Sequence, residues 1–197
     1  MQQTTFTGIR PATTADRQAV IAIISSSFQD DPCFAWLLEP SDHPEKVRIL
    51  TTYLVDETFA NGQVYITDDQ MGAALWHTSK AEPMSWLYVK RNLSLLWQLG
   101  IGSIRRCLRM QHYKTDHFPT EGSYAYLACI GVLPQAQGKG LANRLLTPVL
   151  QQYTAQRIPI FLETANATNV DIYERKGFSL TDTVQENDLS IYFMRHN

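Results

Sequence analysis

Two glycines one residue apart, Gly138 and Gly140, stand between a run that alternates like a strand and a run with apolar residues at helical spacing. A junction of this kind can hold an anion. The opening turn of a helix leaves backbone N–H groups unpartnered and carries partial positive charge, so it can bind a phosphate without any overall basicity. Lacking a Cβ, the glycines let the backbone approach a pyrophosphate and take turn angles that other residues resist. Lys139, Asn143 and Arg144 offer side-chain donors beside them. The same glycine pair serves equally well as a packing device at a helix entry. The loop is neither Gly-x-x-x-x-Gly-Lys-[Ser/Thr] nor Gly-x-Gly-x-x-Gly, so it has no hydroxyl for a nucleotide-bound magnesium ion and no dinucleotide fingerprint.

Two titratable side chains lie downstream. Glu163, flanked by Leu162 and Thr164 at the end of an apolar run, can take a proton or pair with a basic neighbour. Tyr173 carries a phenol that is protonated at neutral pH and can donate, or it can pack beneath Phe178. His77, His112 and His117 are further candidates for proton transfer, and each reads equally as a surface or core-edge histidine. Cys129, a small residue inside an apolar run, reads as inert packing. Cys33, Cys107 and Cys129 are scattered, without metal-ligand spacing, and their odd number suits a reducing compartment.

The elements that must position these residues can be placed from periodicity. A short strand at Gly8 to Pro11 leads to Thr14, read as the cap of a helix from Ala15 to Phe28 with Val20, Ile23, Ile24 and Phe28 inward. Asp30-Asp31-Pro32 reads as a loop, and Pro44 to Phe59 as a second helix stopped by Asn61-Gly62. Gln63–Thr67 and Met71–His77 form a hairpin. Residues 83–113 read as two helices broken near Gly100 and Gly102. This segment contains Trp86, Trp97, Arg91, Arg105, Arg106 and Arg109, and is either an insertion that covers a substrate or ordinary packing with a solvated basic face. Tyr124–Val132 alternates as a central strand, and Gly138 to Ala155 follows as an amphipathic helix interrupted by Pro148. A strand Ile158–Thr164, a helix Asn169–Lys176 and strands at Phe178–Thr183 and Leu189–Arg195 complete the chain.

Nothing divides the 197 residues, so residues 1–197 read as one domain with a helical insertion at about 81–115. With 44% hydrophobic residues the core can be large. A net charge of −2 supplies no global field for nucleic acid or anionic lipid. The longest greasy stretch, Leu93–Ile104, falls short of the roughly 20 residues that a bilayer span needs, and the N-terminus shows no secretory pattern. The expectation is a cytoplasmic protein with no membrane, nucleic-acid or metal partner; its oligomeric state is open, a homodimer included.

Gln135, Gly138 and Gly140, preceded by Val132-Leu133-Pro134, resemble the [Arg/Gln]-x-x-Gly-x-[Gly/Ala] acetyl-CoA loop of the GNAT superfamily of N-acetyltransferases. Leu162-Glu163-Thr164, Asn166 and Tyr173-x-x-x-Gly177-Phe178 resemble its second signature. The resemblance is strong from about 124 to 180. The Gln-Gly-Lys-Gly-Leu wording, Pro148 and Leu-Glu-Thr also look like the branch of puromycin-type antibiotic N-acetyltransferases. Two positions depart: Ala142 stands where many relatives have glycine, and Tyr124-Ala125 where that branch often has His-Trp.

The resemblance implies an α/β fold, a mostly antiparallel mixed sheet of six to seven strands with helices on both faces and two central strands splayed apart. It implies acetyl-CoA as cosubstrate. Backbone groups of Ile130, Gly131 and Val132 would bind its pantetheine arm, and the loop of Gln137, Gly138, Lys139, Gly140, Leu141, Ala142 and Asn143 its diphosphate. Asn166 and Asn169 would bond the cofactor or cap a helix, capping being the reading preferred for Asn169. Tyr173 would sit beside the sulfur as general acid, with Glu163, a histidine or a water chain as base. The acceptor would be the primary amine of a small molecule, attacking directly. A catalytically weak acyl-CoA sensor or partner-docking module on the same fold is the competing reading.

Overall fold

The computed structural model describes residues 7–38, 40, 43–78, 97–119 and 121–197. The sequence expectations for 83–96, Trp86 and Arg91 among them, lie outside the described residues.

Seven strands form one sheet in the order β1-β2-β3-β4-β5-β7-β6, with β1 Ile9–Pro11, β2 Gln63–Thr67, β3 Gly72–Thr78, β4 Ala125–Val132, β5 Ile160–Thr164, β6 Ser179–Glu186 and β7 Leu189–His196. Every pairing is antiparallel except β4 with β5. The helices are α1 Arg17–Ser27, α2 Pro32–Leu37, α3 His43–Asn61, α4 Ile101–His117, α5 Leu141–Ala155 and α6 Ala167–Glu174. None of the described helices is long and apolar enough to cross a membrane.

Periodicity explains the layers. Along α5, Leu141, Leu145, Leu146, Val149, Leu150 and Tyr153 are buried against the face of the sheet that carries Trp76, Leu127 and Leu162. Each such side chain stabilises the fold by about 1.5–3 kcal/mol. Pro148 lies inside that helix without ending it. On the opposite face, α1 buries Val20, Ile21, Ile23 and Ile24 against Ile66, Leu75 and Cys129, and a third cluster gathers α2, α3 and α4 around Phe118, Phe161 and Phe193.

The differences from the sequence reading are local. Thr13, one residue earlier than the expected cap, heads a 3-10 turn at Thr14–Asp16 that leads into α1, and its box is closed by Asp16, which accepts from the Thr13 amide at 2.8 Å and hydroxyl at 2.9 Å. The supposed loop at Asp30-Asp31-Pro32 opens α2: Asp31 Oδ1 accepts from the amides of Cys33 and Phe34, with Pro32 in the first turn. Of the two glycines expected to break the helical stretch, only Gly100 does so, at φ +84°; Gly102 lies within α4, which runs on to His117. The second helix begins at His43 and includes Asn61, and Gly138 precedes α5 rather than opening it.

Candidate active site in a strand splay

Strands β4 and β5 pair only through Ala125 with Ile160 and Tyr126 with Phe161, although β4 continues to Val132 and β5 to Thr164. Beyond that short ladder they separate, and a cavity of about 500 Å³ opens between them. Its floor is β4 from Leu127 to Val132, one wall the glycine loop and the start of α5, the other Glu163, Thr164 and α6.

At Val132 the end of β4 is tied down. Its carbonyl accepts from Gln137 Nε2 at 3.2 Å and lies 3.1 Å from Ser27 Oγ. Then Pro134–Ala136 makes one 3-10 turn, and Gly138 and Gly140 take φ of +74° and +77°, the left-handed region where glycine carries no Cβ penalty. No acceptor among the described residues takes the N–H groups of 138–143, and no side chain caps α5. A Cβ built at Gly138 or Gly140 meets no atom within 4 Å. The loop is therefore an open cradle of unclaimed donors at the N-terminus of a fifteen-residue helix, a donor set suited to a diphosphate.

The cofactor-binding candidates all line this cavity except Lys139 and Asn166. Lys139 Nζ instead donates to the Gln135 carbonyl at 3.0 Å. Asn166, not Asn169, is the cap: its Oδ1 accepts from Thr168 N, while Asn169 lies inside α6 and donates to Thr164 Oγ1 at 3.3 Å.

Tyr173 and Glu163 line the same cavity. The Tyr173 ring packs edge-on against Phe178 at 5.5 Å, so the packing and donor readings hold together. Burial, and then the proximity of Cys129, Glu163 and Asp31, push its phenol well above the ordinary value, which keeps it protonated. Glu163 is half-buried with a partner that sequence reasoning missed: Lys114 of α4 donates to its Oε1 at 2.7 Å. Tyr126 of β4 donates to the same oxygen at 2.8 Å, and Lys114 Nζ reaches the Tyr126 hydroxyl at 2.5 Å. Glu163 Oε2 is buried without a hydrogen-bond partner among the described residues. Desolvation opposes the charge on Lys114, but Glu163 and Tyr126 outweigh it and raise its pKa well above the ordinary value.

Asp31 also lines the cavity; its pKa is raised chiefly by burial, against which the Phe34 and Cys33 amides act, with a further upward push from Glu163. Burial drives the Cys129 thiol up to about 12, in keeping with an inert side chain. None of the three histidine candidates lines the cavity. His77 Nε2 lies 2.9 Å from Thr58 Oγ1, His112 faces Asp116, and His117 pairs with Asp182 while stacking on Phe193.

Residues 118–195 match the acetyltransferase (GNAT) domain. The chain is 27% identical over 195 residues to an uncharacterized N-acetyltransferase of Schizosaccharomyces pombe, covering 92% of this chain and 75% of that protein. Among solved structures it shares its fold with a histone acetyltransferase HPA2 and related acetyltransferase from Corynebacterium glutamicum (TM-score 0.69, 21% identity, 95% of this chain and 93% of that one). The arylalkylamine N-acetyltransferase 2 of Aedes aegypti is another (TM-score 0.64, 11% identity, 95% and 96%). The domain match over the segment that carries splay and cradle, together with the curated relative, supports an acetyltransferase with acetyl-CoA as its acyl donor, and the solved structures show that the chain shares the fold of such enzymes.

Proposed function

We propose that the chain acetylates the primary amine of a small molecule by direct attack, with Glu163 as base and Tyr173 as general acid. The observation that carries this reading is that one cavity holds the open cradle, Glu163 and Tyr173 together. When bound, acetyl-CoA supplies an activated acyl group as a thioester. The amides of 138–143 would hold its diphosphate, and the free edge of β4 at Ile130 to Val132 its pantetheine arm.

The cavity offers an amine two carboxylates. Asp31 and Glu163 line it, together with one ammonium, Lys176, while Lys114 holds Glu163 from outside the lining. Phe28, Ala165 and Ile191 offer the amine's body an apolar lining. This agrees with the arylalkylamine acceptor class of the mosquito relative.

An alkyl ammonium has a pKa near 10.4, so at neutral pH it must lose a proton before it can attack. Two protons leave the nitrogen as ammonium becomes amide. Glu163 takes one, and the other makes good the proton that Tyr173 gives to the departing thiolate as the C–N bond forms and the C–S bond breaks. Glu163→Gln removes the base without changing size and is expected to lower kcat about 10²-fold. Thiol release from acetyl-CoA over an amine panel measures this, and undiminished turnover would remove Glu163 from the reaction.

A further inference from the structure

We propose that Lys114 is a positioning residue for acetyl transfer: from α4 it fixes the orientation of Glu163 through Oε1 and sets one positive charge against the carboxylate, so that Oε2 remains to take the amine proton. This inference rests on Glu163 being the base.

Three observations point to it. First, Lys114 and Tyr126 both engage Oε1, at 2.7 and 2.8 Å, and nothing among the described residues engages Oε2. A carboxylate that served only to anchor a helix would be expected to satisfy both oxygens, because a buried acceptor left without a partner is costly. Here the unpartnered, buried oxygen belongs to a residue that lines the cavity. Second, the side chains are 20% and 11% exposed, so the pair is weakly screened and the ammonium acts strongly on its partner. The Lys114 ammonium also lies 4.8 Å from the centre of the Tyr126 ring, which fixes its position further.

Third, α4 is held in register by contacts on the same face of the helix. Arg106 donates to the Leu37 carbonyl, Arg109 pairs with Glu186 at 2.6 Å, Tyr113 donates to Glu186, and His117 pairs with Asp182 at 2.9 Å. These contacts, three or four residues apart, clamp the helix to β6 and to the end of α2 on either side of Lys114. The inserted helix thus delivers one charge to the reaction centre from outside the segment matched to the acetyltransferase domain.

The groups that share the neighbourhood of Glu163 are Asp31 and Cys33 at the start of α2, Tyr126 and Cys129 on β4 and Tyr173 on α6, with His77 of β3 reached through Lys114. Lys114 is the cation among them. Without it, the Glu163 carboxylate would face Asp31 with no cation in contact.

The test is the pH dependence of kcat/KM in Lys114→Met, Lys114→Arg, Glu163→Gln and the Lys114→Met/Glu163→Gln double variant. Lys114→Met is expected to lower kcat at least tenfold and to move the acidic limb upward by on the order of one pH unit or more. Lys114→Arg is expected to restore the limb, and Lys114→Met is expected to add no loss on top of Glu163→Gln. Should Lys114→Met fail to fold, Lys114→Gln, which keeps a donor and drops the charge, carries the same expectation. A folded, charge-free variant with an unmoved acidic limb, beside an impaired Glu163→Gln, overturns the role of Lys114 alone. An unimpaired Glu163→Gln overturns the base assignment, and the role of Lys114 with it.

Discussion

Ser27 and Gly131 lie so close that a Cβ on Gly131 would stand 2.7 Å from Ser27 Oγ and 2.9 Å from Ser27 Cβ. This contact sets how α1 rests on the strand that floors the cavity, because Ser27 Oγ also lies 2.8 Å from the Ile23 carbonyl and 3.1 Å from that of Val132. Gly131→Ala must push the end of α1 away from β4. The expected cost is about 1–3 kcal/mol, typical of overpacking, with weaker acetyl-CoA binding because the strand edge moves. Thermal unfolding and calorimetric titration measure the two effects, and a variant unchanged in both would show that the contact relaxes freely.

At Gly138 the expectation is different. A Cβ there meets nothing within 4 Å, so the apoprotein has room for a side chain, and the cost of substitution lies in the positive φ and in the space that the ligand needs. Gly138→Ala should cost on the order of 1–2 kcal/mol of stability. Gly138→Glu should in addition abolish CoA binding, by placing a carboxylate where the diphosphate sits. Calorimetry on the folded variant checks this, and normal binding would contradict the cradle.

Acid should loosen the N-terminal corner. Arg10 grips both oxygens of Asp16 at 2.7 Å, and this, with the Thr13 bonds, depresses the carboxyl far below its ordinary value. A carboxyl whose folded pKa lies below its unfolded one contributes stability that is complete above about pH 4 and is lost as pH falls toward the folded value. Asp16→Asn should therefore lower the melting temperature at neutral pH, with a cap loss of about 1 kcal/mol or somewhat more, and should flatten the acid limb of stability between about pH 4 and pH 2. An equal loss at every pH would show that the ionised carboxylate is not what stabilises the corner.

What the sequence made legible was whatever depends on neighbours along the chain. The alternation of Ala125 to Val132, the stripe from Leu141 to Tyr153 and the glycine loop between them each report a local backbone preference, and each stands where periodicity placed it. Capping was legible only to within three residues. Thr13, Thr14, Asn166 and Asn169 are all chemically able to cap, and the extended backbone at Thr13 and Asn166 is what selects those two. Lys114 was not legible at all. It lies 49 positions before Glu163, amid a run of basic residues that reads as a solvated face, and only the path of α4 across the sheet brings the two together. Its signal was weak: the lone lysine of α4, a helix that also carries three arginines, facing a strand that carries an acid.

The most direct measurement is mass-spectrometric detection of acetylated amine when the wild-type chain is given acetyl-CoA and a panel of arylalkylamines, polyamines and amino acids, run beside Tyr173→Phe. The expected result is an amine that gains one acetyl group at a rate about 10²-fold slower in Tyr173→Phe, with CoA affinity nearly the same in both proteins. Acetyl-CoA bound tightly in the splay with no transfer to any amine would contradict an enzyme acting on small amines and favour a sensor on the same fold; equal rates in the two proteins would take Tyr173 out of the reaction.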